Sequence, residues 1–190
     1  MMPMALAWST SLGELRIFDA VREDLEPYAE RLAAAYNEPE TSRLLGLDPV
    51  SVEDVLAWPA ELSRGRGGFY YLLHRDDQMI GCAELAIEHH DSGYVTSFTM
   101  LIPSPTDRRQ GLGTAFATMV HVDAFRYANL DRVTCGLRRE NVAGLKLLGK
   151  LGYVEDRARA TAEHRILAVE QKRFLRREAP AVTAIRRALR

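Results

Sequence analysis

Apolar positions along the chain recur with two different periods, and these periods predict helices and strands. Leu25, Tyr28, Leu32 and Tyr36 fall at helical spacing, which predicts an amphipathic helix over 23–36. Three aromatic and aliphatic runs follow a glycine-rich connector and are separated by turn residues. They predict an antiparallel meander of strands at 69–74, 79–89 and 94–102.

The remaining apolar runs complete the predicted order of elements. They predict a strand at 15–18, a helix at 51–62 with Ser51 as its N-cap, helices at 112–125 and 142–151, and strands at 133–137, 153–154 and 165–169. This order is typical of a mixed α/β fold, with helices flanking a central, mostly antiparallel sheet. Without repeats or a low-complexity linker, we expect a single domain, 1–190, with a core at about 13–175 and a basic C-terminal tail at about 176–190.

Composition narrows the class of protein. The 190 residues are 47% hydrophobic and 27% charged, as in an ordinary globular domain with its own core. No apolar run approaches the roughly 20 residues of a membrane helix, and the apolar start Met1–Trp8 lacks a basic leader. We therefore expect a cytoplasmic protein with no membrane partner. Cys82 and Cys135 lie in apolar stretches and are expected to be buried free thiols, and no ligand set has metal-site spacing.

Charge is unevenly distributed along the chain. The net charge is −1, but ten Arg or Lys stand against three Glu from Arg157 onward. A basic tail can touch nucleic acid or an acidic ligand. Because no aromatic residues are interleaved with it for stacking, a tail folded against the acidic body, or simply solvated, is favoured over a nucleic-acid partner.

The turn Arg108-Arg109-Gln110-Gly111-Leu112-Gly113 joins a strand to a helix. Gly111 and Gly113 leave backbone amides open at a helix N-terminus, which carries partial positive charge and suits a phosphate. A P-loop is excluded because no Lys-Ser or Lys-Thr follows the second glycine, and a dinucleotide fingerprint is excluded by Phe116. The plain alternative is that the glycines only cap the helix.

Two motifs together resemble the GNAT superfamily of N-acetyltransferases. The first is Arg108-x-x-Gly111-x-Gly113, after a strand that ends before Pro105. The second, at the expected distance downstream, is the run from Asn141 to Lys150-Leu151-Gly152-Tyr153, which resembles the "Asn … Lys-Leu-Gly-Phe" helix of the family. Within the superfamily the chain looks most like the ribosomal-protein N-terminal acetyltransferase branch, which also includes acetylases of small amines, sugars and antibiotics.

The resemblance implies acetyl-CoA as co-substrate, held between two splayed strands. Backbone amides of the turn would bind the pyrophosphate, with Arg108 and Arg109 beside it. By the same resemblance, the acyl-CoA site would consist of Met100, Leu101, Ile102, Arg108, Arg109, Gln110, Gly111, Leu112, Gly113, Thr114 and Asn141. Asn141 also suits an ordinary helix cap, and both roles are compatible.

The sequence departs from the family pattern at three places. Leu148 stands where many members have a tyrosine that protonates the leaving thiolate, and Gly144 stands where the ribosomal branch often has serine. A thiolate with a pKa near 8.5 leaves without much help, whereas an amine must first lose a proton, so a base matters more than an acid. Pro103 has no N–H, so the oxyanion donor is expected one or two residues earlier.

Glu84 is the leading candidate for that base, because it lies mid-strand where a carboxylate is unusual. The alternative for Glu84 is a structural ion pair with Arg138 or Arg165. His164, before the last strand, is an outside candidate, whereas Glu88, His89 and His90 are expected on the surface and His121 in the core. Tyr36 and the loop up to Val50 are expected to wall the acceptor site.

The interpretation that these residues favour is an acetyl-CoA-dependent N-acetyltransferase. It would act on a primary amine of a small molecule, an amino sugar or a protein N-terminus, by direct transfer in a ternary complex, since neither cysteine has an evident base. A longer acyl-CoA, an O-acyl acceptor, and a non-catalytic acyl-CoA-binding domain remain alternatives. A homodimer also stays open.

Overall fold

Residues 4–65, 67–90 and 93–189 are described by a computed structural model of the chain. The strands within these residues form one sheet in the order β7-β8-β6-β5-β4-β3-β2-β1-β9. They are β1 Met4–Thr10, β2 Gly13–Asp19, β3 Phe69–Arg75, β4 Gln78–His90, β5 Gly93–Leu101, β6 Arg132–Arg138, β7 Val154–Glu155, β8 His164–Glu170 and β9 Arg186–Leu189. The predicted mixed α/β fold and its β3-β4-β5 meander are confirmed.

Helices cover both sides of this sheet. They are α1 Arg22–Leu25, α2 Ala29–Tyr36, α3 Pro39–Leu45, α4 Val52–Gly65, α5 Leu112–Arg126, α6 Val142–Lys150, α7 Gln171–Arg177 and α8 Ala179–Ala184. The single helix predicted over 23–36 is divided by a 3-10 turn at Glu26–Tyr28, where Pro27 has no amide hydrogen to donate. Ser51 caps α4 as predicted, because its Oγ accepts a hydrogen bond from the Asp54 amide at 3.1 Å.

Side chains alternate between the two faces of the sheet and build two cores. Tyr71 and Leu73 of β3 pack with α5 on what we call the α5 face. Tyr70 and Leu72 of the same strand pack with α2 and α4 on the opposite face, which we call the α4 face. Successive residues of one strand thus face opposite cores.

Two segments outside the predicted core range form the far edge of the sheet. The predicted first strand is in fact the second, because β1 precedes it and pairs with it antiparallel. At the other end of the chain, β9 pairs with β1 from Met4↔Leu189 to Ala7↔Arg186. The guanidinium of Arg187 lies 4.0 Å from the ring centroid of Tyr127. The described part of the basic tail is therefore folded against the protein, as the favoured alternative predicted.

Cys82 and Cys135 are buried and free, as predicted. Among the described residues, no three His, Cys, Asp or Glu side chains gather where a metal ion could bind. None of the described helices combines the length and the apolar character needed to cross a membrane.

Candidate functional site

The strands β5 and β6 lie side by side and parallel, but pair at one point only, Ser97↔Thr134. The hydroxyl of Thr96 holds this point together, because it donates to Arg132 O at 2.9 Å and accepts from Thr134 N at 3.1 Å. Just beyond, the Cys135 thiol donates to Phe98 O at 3.1 Å. After these contacts the strands separate, so their facing backbone groups are available to a ligand.

A cleft of about 180 Å³ occupies the gap between the separated strands. It is bounded by β5 and β6, by α6 on the α5 face, and by α3 and the start of β8. Its lining residues are Leu44, Leu45, Phe98, Thr99, Met100, Cys135, Gly136, Leu137, Arg138, Asn141, Gly144, Leu147, Leu148 and His164. The structure thus brings Met100, Asn141 and His164, which the sequence singled out, to one cleft.

The N-terminus of α5 lies beside this cleft. Gly111 is the N-cap, with a left-handed φ of 90° that favours glycine. The helical hydrogen bonds begin with Ala115 N donating to Gly111 O at 3.0 Å. The amides of Leu112, Gly113 and Thr114 precede that first bond, and the helix dipole adds partial positive charge at the same place. An anionic group fits here.

Gly113 has a second, structural reason to be glycine. A Cβ at this position would lie 3.3 Å from a Leu147 methyl and 3.5 Å from the Met100 methyl, both in residues that line the cleft. The absence of a side chain lets α5 pack closely against β5 and α6. The phosphate motif therefore also sets the distance between the helix end and the cleft.

The side chains of the turn hold its shape. Arg108 donates to Ile102 O at 2.8 Å and to Pro103 O at 3.1 Å, and so ties the turn to the end of β5. Gln110 donates to Thr106 O. Arg109 adopts a left-handed φ of 62°. The predicted role of Arg108 beside a pyrophosphate stays a prediction, but the donors named here already have protein partners.

Arg75 is a contributor that the sequence did not reveal. It forms an ion pair with Asp107 at 2.9 Å and donates to Gln110 Oε1 at 3.3 Å. Both partners belong to the turn, whereas Arg75 lies at the end of β3. A lone arginine at a strand end carries no sequence signal, because its partners arrive from 32 and 35 residues away.

Asn141 combines the two roles considered for it. Its Oδ1 accepts from Gly144 N at 2.9 Å and caps α6, while the residue also lines the cleft. A Cβ on Gly144 would lie 2.9 Å from Leu137 and 3.0 Å from Asn141 Oδ1, so a serine at position 144 would force a shift. Leu148 is buried at the cleft wall. Neither position 144 nor position 148 therefore supplies a hydroxyl that could act as a general acid.

Glu84 lies one strand away from the cleft, on the α4 face. Register pairs place it between Tyr70 of β3 and Thr99 of β5, and Thr99 lines the cleft. Burial raises the pKa of Glu84 to about 7, and a hydrogen-bonding interaction with Tyr36 only partly offsets that rise. A carboxyl with this pKa exists in both protonation states at neutral pH, as a general base requires.

The ion-pair alternative for Glu84 is wrong in this structure. Arg165 pairs with Glu155 at 2.8 Å instead. The Nε of Arg138 is buried and has no hydrogen-bond partner in the described part of the chain. The charge of Glu84 is thus left unneutralised by either arginine.

Tyr36 lies in the core and is 2% exposed, so it does not line the cleft as described. Its hydroxyl contacts Cys82 Sγ at 3.3 Å, and Trp58 packs edge-on against its ring. Burial raises the pKa of the Cys82 thiol to about 11 and that of Cys135 to about 12. Neither cysteine is therefore an activated nucleophile. The predicted contact of Tyr36 with substrate stays a prediction.

The remaining histidine candidates separate clearly. His164 begins β8, pairs with Arg138 across the ladder and lines the cleft. His121 is fully buried in α5 and hydrogen-bonded to Tyr153, so it is structural, as predicted. The side chains of Glu88, His89 and His90 lie outside the described residues.

Comparison with known proteins agrees with this geometry. The family model of the acetyltransferase (GNAT) domain matches residues 15–154. The chain therefore belongs to the GNAT acetyltransferase family, and it is an acyl-CoA N-acyltransferase with acetyl-CoA as co-substrate. The separated strands and the open helix N-terminus fit an elongated ligand with a phosphate-bearing end.

Solved structures share the fold at low sequence identity. Mycobacterium smegmatis RimJ in complex with CoA-disulfide is 16% identical, with a TM-score of 0.71 over 97% of this chain and 99% of that chain. Spermidine N-acetyltransferase from Vibrio cholerae, in complex with CoA and spermine, is 14% identical, with a TM-score of 0.71 over 85% and 98%. Aminoglycoside acetyltransferase AAC(6')-Ib with coenzyme A is 14% identical, with a TM-score of 0.70 over 85% and 98%.

Proposed function

We propose that the protein transfers an acetyl group from acetyl-CoA directly to a primary amine in a ternary complex. The acceptor would be a small molecule, an amino sugar or a protein N-terminus. The observation that carries the proposal is the cleft between β5 and β6, which has helix N-terminal amides at one end and the buried carboxyl of Glu84 near its α4 face. Spermidine N-acetyltransferase bound to CoA and spermine, and aminoglycoside acetyltransferase bound to coenzyme A, share this fold and support amine acetylation.

The proposal assigns the cofactor to the turn before α5 and to the end of β5. The amides of 110–114 would bind the pyrophosphate, and Met100 to Ile102 would offer backbone groups to the pantetheine arm. Asn141 would bind it from the opposite wall. Since Pro103 has no N–H, an amide of β5 one or two residues earlier would hold the oxyanion.

The chemical step would require a neutral amine. Freeing an amine of pKa about 10.4 from its proton at pH 7 costs roughly 4–5 kcal/mol. In the proposed step Glu84 accepts that proton, directly or through water. The nitrogen then forms a bond to the acetyl carbon, the carbon–sulfur bond breaks, and the nitrogen gives its second proton to solvent as the amide forms. The sulfur leaves as a thiolate and is protonated by solvent, which agrees with Gly144 and Leu148 at the usual general-acid positions.

A non-catalytic acyl-CoA-binding domain is the second candidate, and Gly144 and Leu148 are the residues that favour it. One experiment separates the two. The protein is incubated with acetyl-CoA and a panel of amines, N-terminal peptides and amino sugars. The release of free thiol is measured, and the masses of the products are determined by mass spectrometry. Thiol release with a product 42 Da heavier supports the enzyme. Saturable acetyl-CoA binding without any acetylated product supports the binding domain instead.

A control for longer acyl chains belongs in the same assay. Replacing acetyl-CoA by butyryl-CoA and hexanoyl-CoA tests the width of the cleft beside Met100 and Leu148. We expect the acetyl donor to be the fastest. A faster longer donor would contradict the acetyl assignment and leave amine acylation intact.

A further inference from the structure

Arg138 lies on β6 opposite His164 and lines the cleft. Its Nε is buried and has no hydrogen bond within the described residues. A buried donor without a partner costs free energy, which a ligand or an ordered water in the cleft would offset. The neighbouring Arg139 shows the contrast, because it donates to Ala162 O and Thr161 O, both at 3.0 Å.

Arg138 lies on the α4 face of the sheet, the face that also carries Glu84. Thr134 and Arg138 lie at alternate positions of β6, so both face away from Val133 and Cys135, which belong to the α5-face core. Arg138 lies within reach of α3: a Cβ on Gly46, which ends that helix, would be 3.5 Å from its Nη2. The α5 N-terminus and α6, which would hold acetyl-CoA, pack on the other face.

The acidic residue nearest to Arg138 along the chain already has a partner, because Glu140 is paired with Arg43. The described lining of the cleft contains no Asp or Glu, and its basic members are Arg138 and His164. Such a lining suits an anion and disfavours a polycation, because bringing like charges together in a partly desolvated site is unfavourable.

We infer that the acceptor is an amine that also carries a carboxylate, and that Arg138 binds this carboxylate. The planar guanidinium matches the two oxygens of a carboxylate, which makes this pairing stronger than one with a neutral group. The inference rests on the proposed function, since it names the class of acceptor for the same site. It also separates this chain from enzymes that acetylate spermine-like polycations.

The spacing of the strands suggests the length of the acceptor. Glu84 on β4 and Arg138 on β6 are two strands apart, which corresponds to at least roughly 10 Å between backbones, because β5 and β6 separate beyond Ser97 and Thr134. An amine near Glu84 and a carboxylate near Arg138 therefore fit an elongated acceptor better than glycine. Peptides and ω-amino acids of several carbons have this shape.

The test uses ω-amino acids from glycine to 6-aminohexanoate, each beside its carboxamide, with spermidine as the polycation. Binding to the protein–CoA complex is measured by calorimetry, and acetylation by thiol release. We expect the longer carboxylates to exceed their amides by roughly 10- to 100-fold in affinity and in kcat/KM. Arg138→Met should abolish that preference, Arg138→Lys should retain part of it, and Arg159→Met, at an exposed arginine outside the cleft, should retain all of it.

The alternative outcomes are distinct. Equal use of acids and amides, or a preference for spermidine, would overturn the carboxylate inference and leave the N-acetyltransferase in place. A loss in Arg138→Met of acetyl-CoA affinity alone would make the guanidinium a cofactor contact and also overturn it. Binding of every carboxylate without any acetylation would support the recognition by Arg138 and count against the proposed transferase.

Discussion

The α5 face and the α4 face of the sheet both bury polar side chains, but they satisfy them differently. On the α5 face, His121 bonds Ala117 O and the Tyr153 hydroxyl, and the Tyr71 hydroxyl donates to Asp123 at 2.6 Å. On the α4 face, the Tyr70 hydroxyl has no partner in the described part of the chain, and Glu84 has no cation.

This difference separates a structural face from a reactive one. Buried polar networks with complete hydrogen bonds fix a fold, whereas incompletely satisfied groups cost stability and cluster at functional sites. The motif residue Tyr153 belongs to the first kind, because its hydroxyl serves the core. Glu84 belongs to the second kind.

Replacing the base should have the largest effect. Glu84→Gln should lower kcat/KM by about 10²- to 10⁴-fold, because the glutamine cannot accept the proton of the amine. In the unmodified protein the rate should rise with pH through about 7, as Glu84 loses its own proton, and the variant should lack that rise. The measurement is kcat/KM from pH 5.5 to 9.

Stability supplies the control for this prediction. Burial disfavours the charged form of Glu84, so its cost to the fold appears as pH rises from the unfolded value of about 4.5 through about 7. Glu84→Gln should therefore raise Tm above pH 7 while activity falls. The exposed Glu61→Gln should change neither, and unchanged turnover in Glu84→Gln would rule out the base.

The α5 face should instead show its effect in stability. Burial lowers the pKa of His121 to about 4. The unfolded histidine, with a pKa near 6.5, binds more protons between these values, so the free energy of unfolding should decrease by about 3 kcal/mol as pH falls from 6.5 to 4. Denaturant titrations across this range, on the unmodified protein and on His121→Gln, measure it. Identical slopes in the two proteins would contradict the assignment.

A smaller effect is expected at the glycine that brings the two halves of the site together. Gly113→Ala should raise the KM for acetyl-CoA by about tenfold, because its Cβ would press on Leu147 and Met100 and move the α5 N-terminus. Calorimetry or steady-state kinetics with acetyl-CoA measures the change. An unchanged KM would show that the close packing at Gly113 does not position the amides.

Gly149→Ala is the matched control and the smallest effect. Gly149 lies in α6, and a Cβ there meets no heavy atom within 4 Å. Alanine favours the helix, so the variant should gain about 0.5–1 kcal/mol of unfolding free energy with acetyl-CoA affinity unchanged. Destabilisation on thermal or denaturant unfolding would contradict this account of α6.

Local patterns predicted most elements of the fold, and their limits are physical. The apolar patterns located β3 to β6, α5 and α6 because these segments are rich in apolar residues that pack in one core or in both. β9 was not predicted, because Arg186–Leu189 is basic and becomes a strand only by pairing with β1, about 180 residues away along the chain. β1 was not predicted, because its residues were interpreted only as a short apolar start of the chain.

The site residues that belong to a sequence motif could be predicted, whereas those that the fold brings together could not. The turn before α5 and Asn141 have recognisable spacing. Arg138 and Thr99 gain their place in the cleft from the separation of β5 and β6, which depends on side chains such as Thr96 and has no local sequence signal. Glu84 is intermediate between these cases. Its position in the middle of a strand is visible in the sequence, but only the structure shows that no described arginine forms an ion pair with it.

In the proposed complex, acetyl-CoA lies between the separated strands with its phosphates at the α5 N-terminus. Hydrogen–deuterium exchange with and without acetyl-CoA measures this placement, because the ligand would cover backbone amides. We expect slower exchange in peptides covering 99–102, 110–114 and 136–141, and no change in the β1–β9 edge. Unchanged exchange in those three segments at saturating acetyl-CoA, or protection confined to another part of the chain, would contradict it.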